Sequence, residues 1–533
     1  MKNKKNKLLL TMAMLCFGVL GFEKDVLAAN YYVSPNGNAT WPNCATQNNP
    51  CRASNTSKAF LGAQAGDTVY FLDGIYSGLT YSEASYEYPA WNPQNSGTYA
   101  SPIAFKSLNQ YGAHLIGLNN QVKQHVNMIG SMGRQYIVWD GFKMSAVDTS
   151  GNPSSATARF TNASGSAIRN CEIIGHTVAW TDNREGVRIE SSSNVLVENN
   201  IIHGYKSPDG NWNNAGTKQY YTNGVTFKNN EIFDNSVGMF PKNDTDNTTI
   251  INNYIHDNNK EGILISAGNE GAQGHGYTIA NNIFANNAIF HIEYMNDGSF
   301  YLDDSVIHNN TFYGNVDSQV ITYRSIVTAG YDPLVLYNNI FWGDTYPLRT
   351  VYNYSTIKEE DHNNFGGFTQ IRLYDYGSNA ATYSSLVAWK ASGVLVGGGN
   401  PGEGSIAVNP QFVNSSGSMN QLSDFALASS SPCKGTGRNG ADMGANVSLV
   451  GVESEGVIPP TETCSDGIQN QDETGIDCGG VCPACEVPVT YSLSNFILLV
   501  ADWLGVGEED SDVNNDGIVN TRDLGIMMSN WND

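Results

Sequence analysis

The chain has 533 residues, of which 40% are hydrophobic and only 15% charged, with 55 glycines and a formal net charge of −23. That balance excludes a nucleic-acid binder, which needs a basic footprint on its polyanion. It also means that an anionic polymer could approach only through a locally basic strip or a bridging cation such as Ca²⁺.

The N-terminus reads as a secretory signal. Lys2, Lys4, Lys5 and Lys7 precede an apolar run at 8–22, and Leu27, Ala28 and Ala29 offer a small-residue cleavage site. The run is about 15 residues, short for a membrane span, and no other segment is apolar enough to cross a bilayer. Cys16 follows Leu15 rather than a small residue, which argues against a lipid anchor. Removal of the signal peptide, 1–29, is expected to leave a secreted, extracellular protein of net charge about −26. Eight of the nine cysteines remain in it, compatible with an oxidising compartment. Cys44 and Cys51 are seven apart in a loop-rich stretch and are expected to pair. Cys171 is expected to be a buried free thiol, and Cys433 has no evident partner.

An asparagine pair then recurs at nearly fixed spacing. The copies are Asn199-Asn200, Asn229-Asn230, Asn252-Asn253, Asn281-Asn282, Asn309-Asn310 and Asn338-Asn339, at steps of 30, 23, 29, 28 and 29 residues. Arg169-Asn170 fits one step earlier and Asn363-Asn364 one step later. Self-similarity at this period marks a repeat architecture. Each unit holds short β-branched runs such as VRIE, GVTFKNN and GILIS, punctuated by Gly, Asn, Asp and Ser. No stretch of the repeat region carries a convincing amphipathic helix. A unit of this length fits three strands and three turns, so one unit makes one coil of a parallel β-helix. Stacked coils place the Asn pairs above one another, where their amides can hydrogen-bond up and down the stack.

These phrases resemble the right-handed parallel β-helix proteins of the pectate-lyase-like group. YYVSPNG at 31–37 and AGDTVYFLDGIYSG at 65–78 are similar to their opening segment, and VNPQFVN at 408–414 with SPCKGTG and DMGA at 431–445 to their closing one. The resemblance covers roughly 31–445. It implies an all-β solenoid over 30–448, and leaves the chemistry open, because such folds host lyases, hydrolases, epimerases and non-catalytic surface proteins.

Beyond the solenoid, 449–463 reads as a linker. Cys464, Cys478, Cys482 and Cys485 form a small module over 464–485. Their spacing could bind zinc, but an exported chain favours two disulfides, and the phrase resembles a cysteine-rich spacer of extracellular proteins. In the last segment, 486–533, Asp512, Asn514, Asp516, Asn520 and Asp523 place side-chain oxygens at positions 1, 3, 5, 9 and 12 of a Ca²⁺ loop. Gly517 occupies the sharp turn, and Ile518 supplies a carbonyl. With LGIMMSNW following, this looks like a small α-helical dockerin module. The resemblance implies a cohesin-like partner. Phe496 to Trp503 repeats as Leu524 to Trp531, yet Ala484, Glu486 and Pro488 stand where a first loop needs ligands. That departure puts classical docking in question.

For chemistry, side chains alternate faces along a strand, so one in two points outward. The segments 187–190, 239–242, 263–266, 290–293 and 321–324 align as one strand of five coils. With Val187 and Ile189 inward, Arg188, Glu190, Lys242, His291, Glu293 and Arg324 fall on two outward columns. This density of titratable groups suggests β-elimination on a uronate polysaccharide. That reaction needs a base, an acid and positive charge on the enolate-like intermediate. Lys242 and His291 are the base candidates, Arg188 and Arg324 the carboxylate binders, and Glu293 an accompanying acid. Lyases that the chain resembles often carry Ca²⁺ on the substrate carboxylate as well. Gly274-His275-Gly276 precedes Asp303-Asp304 and no Asn-Thr-Asp occurs, an order that argues against a polygalacturonase-type hydrolase. Trp180, Trp212, Tyr220, Tyr221, Tyr294 and Tyr323 are candidates to stack on sugars. The segment 206–224 reads as a long insertion walling a cleft. The expectation is a monomeric lyase of acidic polysaccharides. The alternatives are a non-catalytic glycan-binding or adhesion surface protein and a glycoside hydrolase on the same fold.

Overall fold

Each repeat folds into one coil of three short strands, and coils stack by pairing like strand with like strand. The computed structural model describes residues 28–452 apart from short connecting segments, among them 176–182, 208–211, 267–273, 296–303 and 323–333, and beyond these only Leu524. The chain divides into two compact units at Glu453. The cysteine-rich stretch 464–485 and the loop 512–523 lie outside the described residues, as do the signal residues 1–27.

Among the described residues the strands form three long sheets of 13, 11 and 11 strands. Eight strands carry the description that follows: β1 (Ser155–Thr161), β2 (Ala167–Arg169), β3 (Glu172–Ile174), β4 (Arg184–Glu190), β5 (Asn214–Tyr220), β6 (Val237–Pro241), β7 (Ile263–Ser266) and β8 (Phe290–Met295). Within a coil, β2 belongs to the first sheet, β3 to the second and β4 to the third. Pairing is in parallel register, as between β2 and the next coil's Leu196–Glu198. The last strand of the third sheet, Ala381–Tyr383, pairs antiparallel. Inward residues stack in columns, as Ile168, Val197, Phe227, Ile250, Ile279 and Ile307 do, all fully buried. Phe284, Phe312, Phe341 and Phe365 stack face to face with centroids 4.9–5.1 Å apart. The paired sulfurs of Cys44 and Cys51 close the opening segment, and Cys171 and Cys433 are buried free thiols.

The Asn pairs mark the turn from first sheet to second, and their two members do different work. The first takes the left-handed conformation, with φ of 52–59° at Asn199, Asn229, Asn252, Asn281, Asn309 and Asn338. Asn tolerates that region better than most side chains do. The second is fully buried. From Asn200 through Asn230, Asn253, Asn282, Asn310 and Asn339 to Asn363, each Nδ2 donates to the next Oδ1 at 2.9–3.1 Å. Each Oδ1 also accepts the preceding asparagine's backbone N–H. The ladder ends on Glu360, which accepts from Asn363 at 2.8 Å, Ser405 at 2.7 Å and the Gly402 N–H at 2.6 Å. A second, shorter ladder runs Asn235, Asn258, Asn287 at the next turn.

Two features differ from the sequence expectation. A helix, α1 (Leu386–Ser392), does occur, capped by Ser385 Oγ on the Ala388 N–H and by Gly393 at φ 63°, with Leu386 and Trp389 buried. At seven residues it is too short to show helical periodicity. The closing segment, moreover, turns back as a strap over the outer face of the second sheet. It is met in turn by the first Asn of successive pairs: Asn338 accepts from the Arg438 N–H, Asn309 donates to the Asp442 carbonyl, Asn281 accepts from the Asn446 N–H, and the Asn252 carbonyl accepts from Gly451. Phe412, Met419, Phe425 and Met443 pack under it against Tyr254, Ile283 and Ile340.

Asn253→Ala removes the acceptor of two bonds and the donor of three, leaving buried backbone groups unpaired. It is expected to cost about 3 kcal/mol or more, whereas Asn252→Gly, in a left-handed position, should cost about 1 kcal/mol or less. Urea unfolding followed by circular dichroism checks the contrast.

Candidate functional site

The titratable strip lies on the outer face of the third sheet, and its register differs from the sequence alignment. Arg159 of β1 pairs with Arg188 of β4, Arg188 with Lys218 of β5, and Lys218 with Phe240 of β6. The column continues through Leu264 to Glu293. A second column holds Glu190, Tyr220 and, beyond β6, Lys242, which bridges to Ser266. Glu293 therefore stands in the column of Arg188, two residues away from its expected register, and is buried.

His291 is not on this face. In β4 to β6 and just before β7, the residue ahead of the inward Val187, Thr217, Met239 or Ile263 is Gly186, Gly216, Gly238 or Gly262, where an added Cβ would run into the next coil's backbone. A Cβ on Gly262 would lie 2.7 Å from the His291 carbonyl. His291 fills the equivalent place in β8, so its ring points into the core beside Phe284 and Phe312 and is fully buried. Asn287, the end of the short ladder, donates to its Nδ1 at 3.1 Å. Burial pushes its pKa down to about 3, so the ring is neutral at any working pH. This corrects its assignment as a base. Arg324 lies outside the described residues, as do Trp180 and Tyr323. Tyr294 is a core residue.

The supposed insertion 206–224 contains β5, a full strand of the third sheet. Its inward residues are Thr217 and Gln219, both buried, so the strand lacks the apolar alternation that would announce it. Gln219 Oε1 accepts from Thr222 and Thr248, while its Nε2 and the Thr217 hydroxyl find no hydrogen-bond partner among the described residues. Lys218, missed from sequence for this reason, is the centre of the strip.

The charges interlock. Glu190 accepts from Arg159 at 2.6 Å and from Arg188 at 2.5 Å. Buried Glu185 lies 3.5 Å from both Arg188 Nη1 and Lys218 Nζ. Lys218 Nζ donates to Asn183 Oδ1 at 2.9 Å and to the Asn213 side chain at 3.2 Å, and its side chain is wholly covered. It also lies 4.9 Å from the Phe240 ring centre, and Arg188 stacks 4.7 Å over Tyr220. Lys242 Nζ is 5.3 Å from the centre of the same Phe240 ring. Burial, with help from Lys242 and Arg188, lowers the Lys218 pKa to about 8, against the pull of Glu185. Burial raises Glu190, but Arg188 and Arg159 outweigh it and hold the carboxyl below its usual range. Chemically the strip offers positive charge for carboxylates and one amine whose neutral form is accessible at mildly alkaline pH. Among the described residues no group of three His, Cys, Asp or Glu side chains could hold a metal ion, and no helix is long and apolar enough to cross a membrane.

Residues 140–302 match the family model described as the right handed beta helix region. No curated protein matches the chain. Among solved structures it is similar to the pectate lyase Pel9A, at 16% identity over 78% of this chain and 95% of that one, with a TM-score of 0.49. It is similar also to PfbA, a surface adhesin of Streptococcus pneumoniae, at 14% identity over 58% of this chain and 82% of that one, TM-score 0.39. An alginate lyase from Paenibacillus sp. is 16% identical over 67% of this chain and 98% of that one, TM-score 0.35. At these values the likenesses say nothing about chemistry. The parallel register of the three sheets, with the family match, makes the solenoid a right-handed parallel β-helix.

Between pH 8 and about 10 an unfolded chain keeps the lysine proton that folded Lys218 has lost, so this group makes stability rise with pH. Below pH 8 both states hold the proton and the burial penalty is fully felt. Buried tyrosines oppose the rise only once unfolded tyrosines ionise near pH 10. The urea midpoint of the wild type is thus expected to gain between pH 8 and 9.5 relative to Lys218→Met, in which this contribution is absent.

Proposed function

We propose that this is a secreted, carbohydrate-active protein that takes an acidic polysaccharide on the outer face of its third sheet and cleaves it by β-elimination. The observation that carries the reading is the run of Arg159, Arg188, Lys218 and Lys242 on neighbouring coils of a chain whose net charge is −23. A local cationic strip on an acidic protein selects carboxylates and keeps other polyanions off the remaining surface. Arg188 is suited to a substrate carboxylate, and Lys218 or Lys242 to the proton α to it. Lys218 is the better base, because its pKa is displaced toward working pH. The covered position of Lys218 requires that a polymer displace Asn213 before proton transfer. That same closure favours the second reading, a non-catalytic glycan-binding surface protein.

Purified protein with Ca²⁺ and, separately, polygalacturonate, alginate and hyaluronan is followed by the ultraviolet absorbance of unsaturated uronate ends. The expected outcome is a rise on one polymer, with kcat/KM climbing through about pH 8 and falling at least a hundredfold in Lys218→Ala. Binding without absorbance change on any polymer moves the assignment to the adhesin-like reading.

The C-terminal proposal rests on ligand spacing alone. The loop from Asp512 to Asp523 is assigned to one Ca²⁺ and the module 486–533 to a cohesin-like partner. Calorimetric titration of the full chain with Ca²⁺ should lose one site in the variant combining Asp512→Ala and Asp516→Ala, with the solenoid's unfolding midpoint unchanged.

A further inference from the structure

Where the third sheet turns out of its strands, successive coils put a residue in the left-handed conformation, followed in the Asn243 coil by a second, Asp244. The column reads Gly133, Asn162, Ser191, Tyr221 and Asn243, with φ of 66°, 51°, 46°, 53° and 56°. Backbone bonds join it, from Asn162 N to the Glu190 carbonyl, from Ser191 N to that of Tyr220, and from Tyr221 N to that of Asn243. Four of the five are the small or amide residues that such a corner favours. Tyr221 breaks the local rule, since a bulky side chain at positive φ is strained. Tyr136 is also left-handed, but its ring is used in packing, lying against Gly165. Tyr221 is 50% exposed, with one long contact from Asn243 Nδ2 at 3.5 Å. Strain without a packing return is expected at functional positions.

At the opposite end of the same strand stands a second exposed ring. Trp212 is 45% exposed and is held in place: its Nε1 donates to Glu261 at 3.2 Å, and Lys260 Nζ sits 4.2 Å over the ring. Trp212 adjoins Asn213, whose side chain accepts from Lys218. Trp212 and Tyr221 thus stand at opposite ends of β5 with Lys218 and Tyr220 between them along the chain, and the Trp212 ring reaches over the Lys260–Glu261 segment two coils on. Along an extended strand this span is about 25–30 Å, room for several sugar rings.

We infer that Trp212 and Tyr221 are sugar-stacking platforms that flank the Lys218 strip, so that the bound polysaccharide runs along β5, across the solenoid rather than down its axis. The inference rests on the acidic-polysaccharide reading above. The chemistry is that of pyranose C–H groups, slightly positive, on the negative face of an aromatic ring. Uronates are favoured over neutral sugars because a carboxylate can meet Arg188, and Lys218 once Asn213 is displaced, while the rings stack at the ends.

The test uses the full chain, polygalacturonate, alginate and hyaluronan as probes, and two readouts for each variant: affinity by calorimetry and unfolding midpoint in urea. Tyr221→Asn restores the residue type of the corner. It is expected to raise the midpoint while weakening binding of the preferred polymer at least tenfold. Trp212→Ala is expected to weaken binding similarly, and to abolish any polymer-induced change in tryptophan fluorescence that the wild type shows. If the wild type binds a polymer and Tyr221→Asn binds it equally well, the platforms are overturned and the reading of the strip stands. If Tyr221→Asn lowers the midpoint, the ring is structural and the inference fails. If the wild type binds none of the three polymers while folded, both the reading and this inference fall.

Discussion

A buried amide has to be satisfied, and along this ladder each one bonds to the same residue one coil away as well as to backbone carbonyls. Asn253 takes its acceptor role from the coil before and its donor role to the coil after. Neither of these bonds between asparagines is available to an isolated coil. The ladder therefore forces neighbouring repeats into one register at the turn between first and second sheets, and the stacked phenylalanines and isoleucines then fall into columns without further instruction. Hydrophobic burial supplies most of the driving force, but apolar side chains alone tolerate a slip along the strand that amides do not.

This is why so much of the fold was legible in the sequence and so little of the site. The Asn pair is a local phrase with a strict geometric meaning, a left-handed residue followed by an inward amide, and it repeats. The site depends on register in the third sheet, which the ladder fixes only at a distance, through connections of variable length. Strand β5 shows the difficulty. Thr217 and Gln219 replace apolar residues inside, the hydrophobic pattern fades, and the strand passes for a loop. Lys218 went unseen with it. His291 failed for another reason: parity along a strand holds only while the pleat is regular, and the glycine position of β4 to β6 drops out of the regular pairing on both neighbouring strands alike. Glu293 differs because the sequence alignment sets Phe290 in the column of Val187, whereas the strand pairing places Ile292 there.

The outer strip obeys a different economy from the core. Its cations are matched by Glu185 and Glu190, two carboxylates serving Arg159, Arg188 and Lys218. A buried amine beside two further cations is electrostatically unfavourable, and its depressed pKa expresses that stress. Next to it, Phe240, Leu264, Ala215 and Val237 form an apolar cluster on the outward side of the sheet. A solenoid built only for stability would carry neither feature on that face, since outward positions can be left to solvent.

The strap has a mechanical consequence. Its clasps to Asn338, Asn309, Asn281 and Asn252 follow one another along the chain, so Gly451, the last to be clasped, is the first to feel tension applied from the C-terminal side. Such a load opens the clasps one at a time, like a zip, instead of shearing them together. Each step exposes only one coil's worth of the second sheet. A pull would thus be absorbed as a series of small, reversible yields, with the coils and their asparagine ladder left intact underneath until the strap has peeled back to the Asn338 coil.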